Sequence, residues 1–306
     1  MATKKAKTAS KSKSSAATKT QKAKTTTSSI KKKTETLKAE TFTATPQQSG
    51  LVKSFFSKKY TETEDASTIF QRPAFIGALV AEIIGVFLLT TLFLMLQANP
   101  HFIWLSVIGV TILVYSISGA NLNPLVTLGL AVTRRISAIR AVFYILAQAI
   151  GAMLAFVMLR SFISVHPEVS AEMAQFGQHA PELFTMLPLP ADGEWHVLAI
   201  ELIGAIIIGL FFARALQYRK SVFTFAATVG LGVSAAVIFA SVATMFIGGG
   251  SFALNPAIAL SMEAFNNDAI ALNWGLLVYL IAPLAGGIIG FILNDILATS
   301  TNTLEK

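Results

Sequence analysis

Two Asn-Pro pairs stand out in this sequence because both lie inside strongly apolar stretches. Asn123-Pro124 follows the loop at 118–122, and Asn255-Pro256 follows the loop at 250–254. Asn is a favoured N-cap and Pro is favoured at the first helical position, so each pair predicts a helix start. The free N–H groups of a helix start carry partial positive charge, and at membrane depth they are tolerated only inside protein or beside water. Together, the two pairs predict a pore.

Two carboxyl side chains, Glu82 and Glu201, also lie deep within apolar segments. Charged residues inside membrane spans usually face the protein interior and are candidates for function. One hypothesis is a proton relay. The alternative is structural: each carboxylate accepts hydrogen bonds from exposed N–H groups of the nearby Asn-Pro loop. The occurrence of one such Glu in each half of the chain favours the structural role.

Composition predicts an all-α polytopic membrane protein. The 306 residues are 54% hydrophobic, the mean hydropathy is +0.64, and there is no Cys. A membrane-spanning helix needs about 20 apolar residues. Six segments meet this need: 73–97, 102–117, 136–164, 196–217, 222–246 and 270–297. Two shorter pieces, 123–133 and 255–265, are too short to span, and each is predicted to be a re-entrant half-helix.

Charge is divided unevenly along the chain. Residues 1–72 hold 16 Lys or Arg and 5 Asp or Glu, a net +11, while residues 73–306 hold 8 and 11, a net −3. The Lys, Thr, Ser and Ala of this basic segment cannot offset the entropy of ordering, so residues 1–72 are predicted to form a disordered tail. Such a tail either sets topology as a solvated segment or binds anionic lipid or nucleic acid.

The basic residues between spans predict the orientation. They fall in two groups: Arg134, Arg135 and Arg140, and then Arg214, Arg219 and Lys220. An even number of spans separates the two groups and the tail, so the positive-inside rule assigns all three, and both termini, to the cytoplasm. The acidic loop at 165–195 falls on the other side. We expect an integral protein of the plasma membrane.

The two halves of the chain repeat. AEIIG at 81–85 recurs as IELIG at 200–204, and Tyr144 and Gly151 recur at the same spacing as Tyr279 and Gly286. The prediction is a channel domain at 73–298, with repeats at 73–164 and 196–298, followed by a C-terminal tail at 299–306. Three spans per repeat invert the second repeat, so the half-helices enter from opposite faces with their Asn residues facing each other.

In combination, these motifs resemble the major intrinsic protein family, the aquaporins and aquaglyceroporins. The resemblance covers roughly residues 73–297. It is carried by AEIIG (81–85), SGANLNPLVT (118–127), YILAQAIGA (144–152), NPA (255–257) and YLIAPLAGG (279–287). It implies a homotetramer in which each protomer passes water or small neutral solutes. It also implies that Asn123 and Asn255 donate hydrogen bonds to the passing solute.

The sequence departs from the family pattern at three places, one of which belongs to the narrow outer filter, at Ile258. Leu125 follows the first Asn-Pro where the family usually has Ala, and Ile258 stands where it usually has Arg. Ser261-Met262 replaces the usual Gly-Pro. By the family's usual spacings, the resemblance implies a wholly apolar selectivity filter, with these members: Ile103, Ala243, Phe252 and Ile258.

The sequence therefore predicts a passive channel for water or small uncharged solutes, among them glycerol-like polyols, metalloid acids, ammonia or gases. Two alternatives remain: a proton- or ion-coupled transporter that uses Glu82 and Glu201, or a structural membrane protein with a closed pore. Enzyme activity is not expected, because there is no Cys and no nucleophile–base set near the pore motifs. The four His residues show no ligand spacing, so neither a metal site nor a cofactor is expected.

Overall fold

The computed structural model describes residues 69–164, 175, 183–190, 192–265 and 274–304. Nearly all of the basic tail and most of the loop at 165–195 lie outside these residues, and so do the predictions made for them. Six helices are long and apolar enough to cross a membrane. No strand occurs among the described residues. The predicted fold class, an all-α membrane protein with six spans, is confirmed.

The helices are numbered here in chain order. They are α1 (Pro73–Met95), α2 (Pro100–Ser118), α3 (Pro124–Val132), α4 (Ala138–Ile163), α5 (Glu194–Ala215), α6 (Val222–Phe246), α7 (Pro256–Ser261) and α8, which ends at Leu304. α8 is built from Trp274–Leu276, a π-helical turn at Leu277–Ile281, and Ala282–Leu304. The short helices α3 and α7 are the half-helices that the two Asn-Pro pairs predicted.

Local capping explains where several helices begin. Asn99 accepts a hydrogen bond from the N–H of His101 at the start of α2, and Ser137 accepts one from Arg140 at the start of α4. Ser221 does the same for Thr224 in α6. Each cap satisfies one of the orphan N–H groups of the first turn. These starts lie within two residues of the sequence-based expectation.

Two helices end more than two residues away from the sequence-based expectation. α7 stops at Ser261 rather than 265, because Glu263 adopts a positive φ of 57° and the N–H of Ala264 turns back to the carbonyl of Ala259. α8 continues to Leu304 and so enters the range assigned to a C-terminal tail. No Gly or Pro follows Gly290, so nothing in the sequence interrupts the helix.

The π-helical turn in α8 was not foreseen. It precedes Pro283, which has no N–H to donate and whose ring crowds the carbonyl four residues earlier. The N–H of Ala282 reaches back five residues to Leu277 instead of four. The helix thus accommodates a proline in its interior by widening one turn.

Helix packing follows the repeat. α1 packs against α2 and α4, and α5 packs in the same way against α6 and α8. A Cβ on Gly151 of α4 would collide with the backbone of Ile83, and one on Gly286 of α8 would collide with the backbone of Leu202. Both glycines therefore permit a close approach of backbones at equivalent places in the two repeats.

Contacts between the two repeats include those of α2 with α6, α3 with α8, and α7 with α4. Each half-helix is thus packed against a span of the opposite repeat. The outward faces carry large apolar side chains, among them Phe223, Leu113 and Val157, which are 57% to 69% exposed. An apolar exterior of this kind is what helices surrounded by lipid require.

Candidate pore site

Asn123 and Asn255 stand opposite each other, one at the start of each half-helix. The side-chain Nδ2 of Asn123 donates to the carbonyl of Leu254 at 2.9 Å, and Nδ2 of Asn255 donates to the carbonyl of Leu122 at 3.2 Å. Each Oδ1 caps its own helix by accepting from an N–H two residues on, at 3.1 and 3.0 Å. The positive ends of α3 and α7 therefore meet.

The loop residue before each Asn has the same unusual backbone. Leu122 has φ 55° and Leu254 has φ 52°, a left-handed conformation that side chains larger than glycine rarely adopt. The turn aims the two carbonyls across the interface between the half-helices. It also points the N–H groups of Leu122 and Leu254 toward the interior, where the buried carboxylates lie. Residues held in this way store strain that the surroundings must offset.

Glu82 and Glu201 accept those N–H groups. Glu82 accepts from Asn121 at 3.1 Å and from Leu122 at 2.8 Å. Glu201 accepts from Ala253 at 2.6 Å and from Leu254 at 3.1 Å. Both carboxylates are fully buried. Hydrogen bonds to a charged acceptor are stronger than neutral ones, so each Glu is well suited to hold its loop in the strained conformation.

The two carboxylates differ in whether a side chain also donates a hydrogen bond to them. The side-chain Nε2 of Gln148 donates to Glu82 at 2.8 Å and to the hydroxyl of Thr127 at 2.9 Å. Among the described hydrogen bonds, Glu201 accepts only from the backbone. Gln148 lies within the motif at 144–152, but no role for it was predicted. A polar amide in the middle of an apolar span was the available signal.

A pair of tyrosines completes the correspondence between the loops. The hydroxyl of Tyr144 donates to the carbonyl of Ser118, and that of Tyr279 donates to the carbonyl of Ser251, each at 3.2 Å. Both bonds run from a span to the first part of an Asn-Pro loop. The inverted repeat therefore extends to individual hydrogen bonds.

A narrow central cavity of about 70 Å³ lies beside the two Asn residues. Such a volume holds only a few water-sized molecules. Its polar wall residues are Ser106, Thr111, Asn123 and Asn255, and its other wall residues are apolar. No charged side chain belongs to the wall as far as the described residues go.

Only two of the four residues expected in the filter line this cavity. Ile103 and Ile258 belong to its wall, and Ala243 and Phe252 do not. α6 contributes Val229, Val233 and Val237, and Ala243 lies six residues beyond the last of these, about 9 Å farther along the helix axis. The ring of Phe252 lies 6.4 Å from that of Phe184 in the described loop segment 183–190.

A second, more polar cavity of about 390 Å³ lies beside the first Asn-Pro loop. Its wall includes the side chains of three arginines, Arg135, Arg140 and Arg219. Arg135 pairs with Asp295 of α8 at 2.6 Å. This basic vestibule and the central cavity have one described wall residue in common, Phe212. Sequence reasoning gave Phe212 no role.

Among the described residues, no group of three His, Cys, Asp or Glu side chains is placed to hold a metal ion. Six apolar spans, two half-helices that meet at their N-termini and an uncharged cavity beside them define a membrane protein of the channel class. A family model described as Major intrinsic protein matches residues 69–293. The chain belongs to this family, whose members are channels rather than enzymes.

Individual relatives agree with this membership. A glycerol uptake facilitator protein-like 6 of Lactiplantibacillus plantarum (strain ATCC BAA-793 / NCIMB 8826 / WCFS1) is 29% identical over 186 residues, which are 60% of this chain and 77% of that protein. Aquaporin-1 of Canis lupus familiaris is 30% identical over 61% of this chain and 62% of its own length. The match thus spans less than two thirds of the second relative.

A solved structure agrees with the fold. The aquaglyceroporin from Plasmodium falciparum superposes with a TM-score of 0.55 at 21% sequence identity, over 75% of this chain and 99% of that one. At this identity the likeness concerns the fold alone.

Proposed function

We propose that this protein is a passive channel for water and small uncharged solutes. The observation that carries the proposal is the meeting of two capped half-helix N-termini, at Asn123 and Asn255, beside a cavity whose described wall residues carry no charge. The two helix ends set a positive potential at the middle of the pathway, which opposes cations and protons. Neutral solutes meet no such barrier.

The two Asn side chains are proposed to guide the solute. Each amide has two donor hydrogens, and one of them is used in the bond to the opposite loop. The second hydrogen is available to a solute oxygen. Two donors facing a single file orient each molecule so that its own hydrogens point away from the centre, which interrupts a continuous chain of hydrogen-bonded water.

The filter is proposed to be apolar, with Ile258 at the position where the family usually has Arg. The presence of Ile103 and Ile258 in the cavity wall supports this assignment for two of the four residues. For Ala243 and Phe252 it rests on family spacing alone. Without a fixed guanidinium, the constriction loses a donor and a positive charge, so glycerol-like polyols, metalloid acids, ammonia or gases become candidate solutes besides water.

Glu82 and Glu201 are proposed to be structural rather than proton carriers. Their hydrogen bonds to the N–H groups of the two loops support this role. The coupled transporter and the closed-pore protein are then outcomes of the functional test. Saturating, pH-driven flux would indicate a transporter, and zero permeability to every solute would indicate a closed pore.

Assembly and placement are also proposals. The family resemblance favours a homotetramer with one pore per protomer. The arginines around the vestibule, Arg135, Arg140 and Arg219, favour a cytoplasmic location for that side and a plasma-membrane protein. The basic segment 1–72 is proposed to be a disordered tail that contacts anionic lipid or nucleic acid, on the strength of its composition.

The test is a stopped-flow permeability panel on proteoliposomes that contain the full chain. The solutes are water, glycerol, urea, boric acid and ammonia, with empty liposomes of the same lipid as the control. We expect non-saturating flux of at least water or one neutral solute, and no cation leak. Flux that saturates and follows a pH gradient, or no flux above the empty liposomes, would contradict a passive channel.

A further inference from the structure

The central cavity and the basic vestibule meet at a single aromatic residue. Phe212 of α5 is only 1% exposed, and it is the one wall residue that the two cavities share among the residues described. The two cavities therefore adjoin at this ring. The phenyl ring has no hydrogen-bond donor and no strong acceptor, so it cannot replace the hydrogen bonds that a solute leaves behind.

The ring of Phe212 is held in place by its neighbours. It packs edge-on against Phe225 of α6, with centroids 5.4 Å apart, and it lies 6.1 Å from Phe291 of α8. Phe225 in turn lies 4.5 Å from Tyr115 of α2, whose hydroxyl donates to the carbonyl of Arg219. Aromatic pairs of this geometry add to the packing energy, so displacing the ring of Phe212 is costly.

The other end of the central cavity carries the repeat equivalent of Phe212. Phe93 lies eleven residues after Glu82, and Phe212 lies eleven residues after Glu201. Eleven residues are close to three turns, so each Phe stands on the same face of its span as the Glu. Phe93 is 5% exposed, belongs to the wall of the central cavity, and packs edge-on against Phe184 at 5.4 Å.

We propose that Phe93 and Phe212 are a matched pair of aromatic barriers that bound the central cavity at its two ends and set the size of solute that passes. The proposal rests on the proposed channel function and names two specificity-determining residues outside the Asn pair. Since the second repeat is inverted, one barrier faces the vestibule and the other faces the side of the loop segment 183–190.

Two barriers in series give a specific kinetic signature. If they are equal, removal of one leaves the other limiting, so Phe93→Ala or Phe212→Ala raises glycerol permeability at most about twofold. Removal of both raises it on the order of tenfold, which corresponds to roughly 1.4 kcal/mol of barrier. Because water is smaller than glycerol, the permeability to water is expected to rise less in each variant. The measurement is glycerol and water permeability in matched proteoliposomes.

The control is Phe75→Ala, which removes an equally buried ring of α1 that borders neither cavity. Loss of a buried Phe leaves a cavity and destabilises a protein core. Thermal unfolding of each variant is therefore measured first, and Phe93→Leu with Phe212→Leu is the milder pair if the alanine variants unfold. The leucine pair is expected to give a smaller rise in the same direction.

The outcomes separate the two proposals. A double variant that conducts glycerol far above either single variant supports the matched barriers. A folded double variant with the glycerol-to-water ratio of the native protein or of Phe75→Ala overturns them and leaves the channel function standing. If the native protein and all variants are impermeable to every solute, both the proposed channel function and the proposed aromatic barriers are wrong.

Discussion

Asn123 donates its side-chain amide to the carbonyl of Leu254, the residue that precedes the other pore asparagine. The reverse bond runs from Asn255 to Leu122. Each amide thus has two tasks, because it caps its own half-helix through Oδ1 and supports the opposite loop through Nδ2. A substitution at either Asn therefore acts on both half-helices.

The first prediction concerns Asn255→Asp. The carboxylate retains the acceptor for the N–H of Ala257, but it replaces the donor to Leu122 by a second acceptor. The facing oxygens repel each other, so we expect a loss of about 1–3 kcal/mol in stability. The negative charge also offsets the positive field of the two helix ends and lowers the barrier to cations.

Potassium leak from proteoliposomes measures this effect, and Asn123→Asp serves as the matched change in the other repeat. Both variants are expected to leak more than the native protein. A folded Asn255→Asp channel that excludes potassium as well as the native protein does would mean that Asn255 does not face the pathway.

The second prediction separates the two buried carboxylates. Gln148 and the N–H groups of Asn121 and Leu122 present three donors to Glu82, and both of its oxygens are engaged. In Glu82→Gln one of these oxygens becomes an NH₂ group that faces a donor. We expect a loss of about 1–3 kcal/mol and a clear fall in unfolding temperature.

Glu201→Gln is expected to be milder. Oε1 of Glu201 accepts from Ala253 at 2.6 Å and from Leu254 at 3.3 Å. A glutamine carbonyl in its position leaves neither N–H without a partner, although the bond from Leu254 to Oε2 at 3.1 Å is lost. Thermal unfolding in detergent compares the two variants directly. An equal fall for both would show that the partners of Glu82 in α4 add nothing to its support of the loop.

The third prediction concerns the close approach of spans. Gly151→Ala and Gly286→Ala each place a methyl group against the backbone of a neighbouring span, and neither helix can yield without moving. The expected cost is about 1–3 kcal/mol for each. Gly109→Ala is the control, since a Cβ there meets no atom within 4 Å. Comparable unfolding temperatures for all three variants would contradict the packing described for α1 with α4 and α5 with α8.

The fourth prediction tests the proposed filter through Ile258→Arg. The guanidinium adds a permanent charge and five donors to a wall that is apolar at this point. Glycerol flux should fall relative to water flux, because the longer side chain narrows the passage. Ile258→Met keeps the volume and the apolar character, so it should retain the native ratio.

An unpaired guanidinium would also lower stability, so the unfolding temperature of the arginine variant is measured beside its flux. If folded Ile258→Arg passes glycerol and water in the native ratio, Ile258 does not line the constriction.

Much of the architecture was accessible from sequence, for identifiable reasons. The spans were predictable because lipid requires long apolar segments, and the half-helices because Asn123-Pro124 and Asn255-Pro256 combine a cap with a first-turn proline. The repeated motif at 81–85 and 200–204 identified Glu82 and Glu201 as equivalent residues. These signals are local or repeated patterns, and both kinds can be recognised in one sequence without knowledge of tertiary contacts.

The features that were missed depend on contacts between distant segments. Phe212 is one apolar residue among many in α5, and only the packing of α5 beside α6 and α8 makes it the boundary of two cavities. The same holds for Gln148, whose two partners lie 66 and 21 residues away. The π-helical turn before Pro283 depends on how α8 absorbs one missing donor.

The exchange of half-helices between repeats has a consequence for biogenesis. α3 packs against α8, where Phe291 lies over Gly129, and Arg135 reaches Asp295 at a separation of 160 residues. When α3 leaves the ribosome, its final neighbour has not yet been synthesised. The first half-helix must therefore be kept away from lipid until the last span inserts, and a chain that ends before α8 presents unfinished polar ends to the membrane. Insertion of α8 is the step that completes the packing around α3, and until then membrane quality control can recognise an incomplete chain.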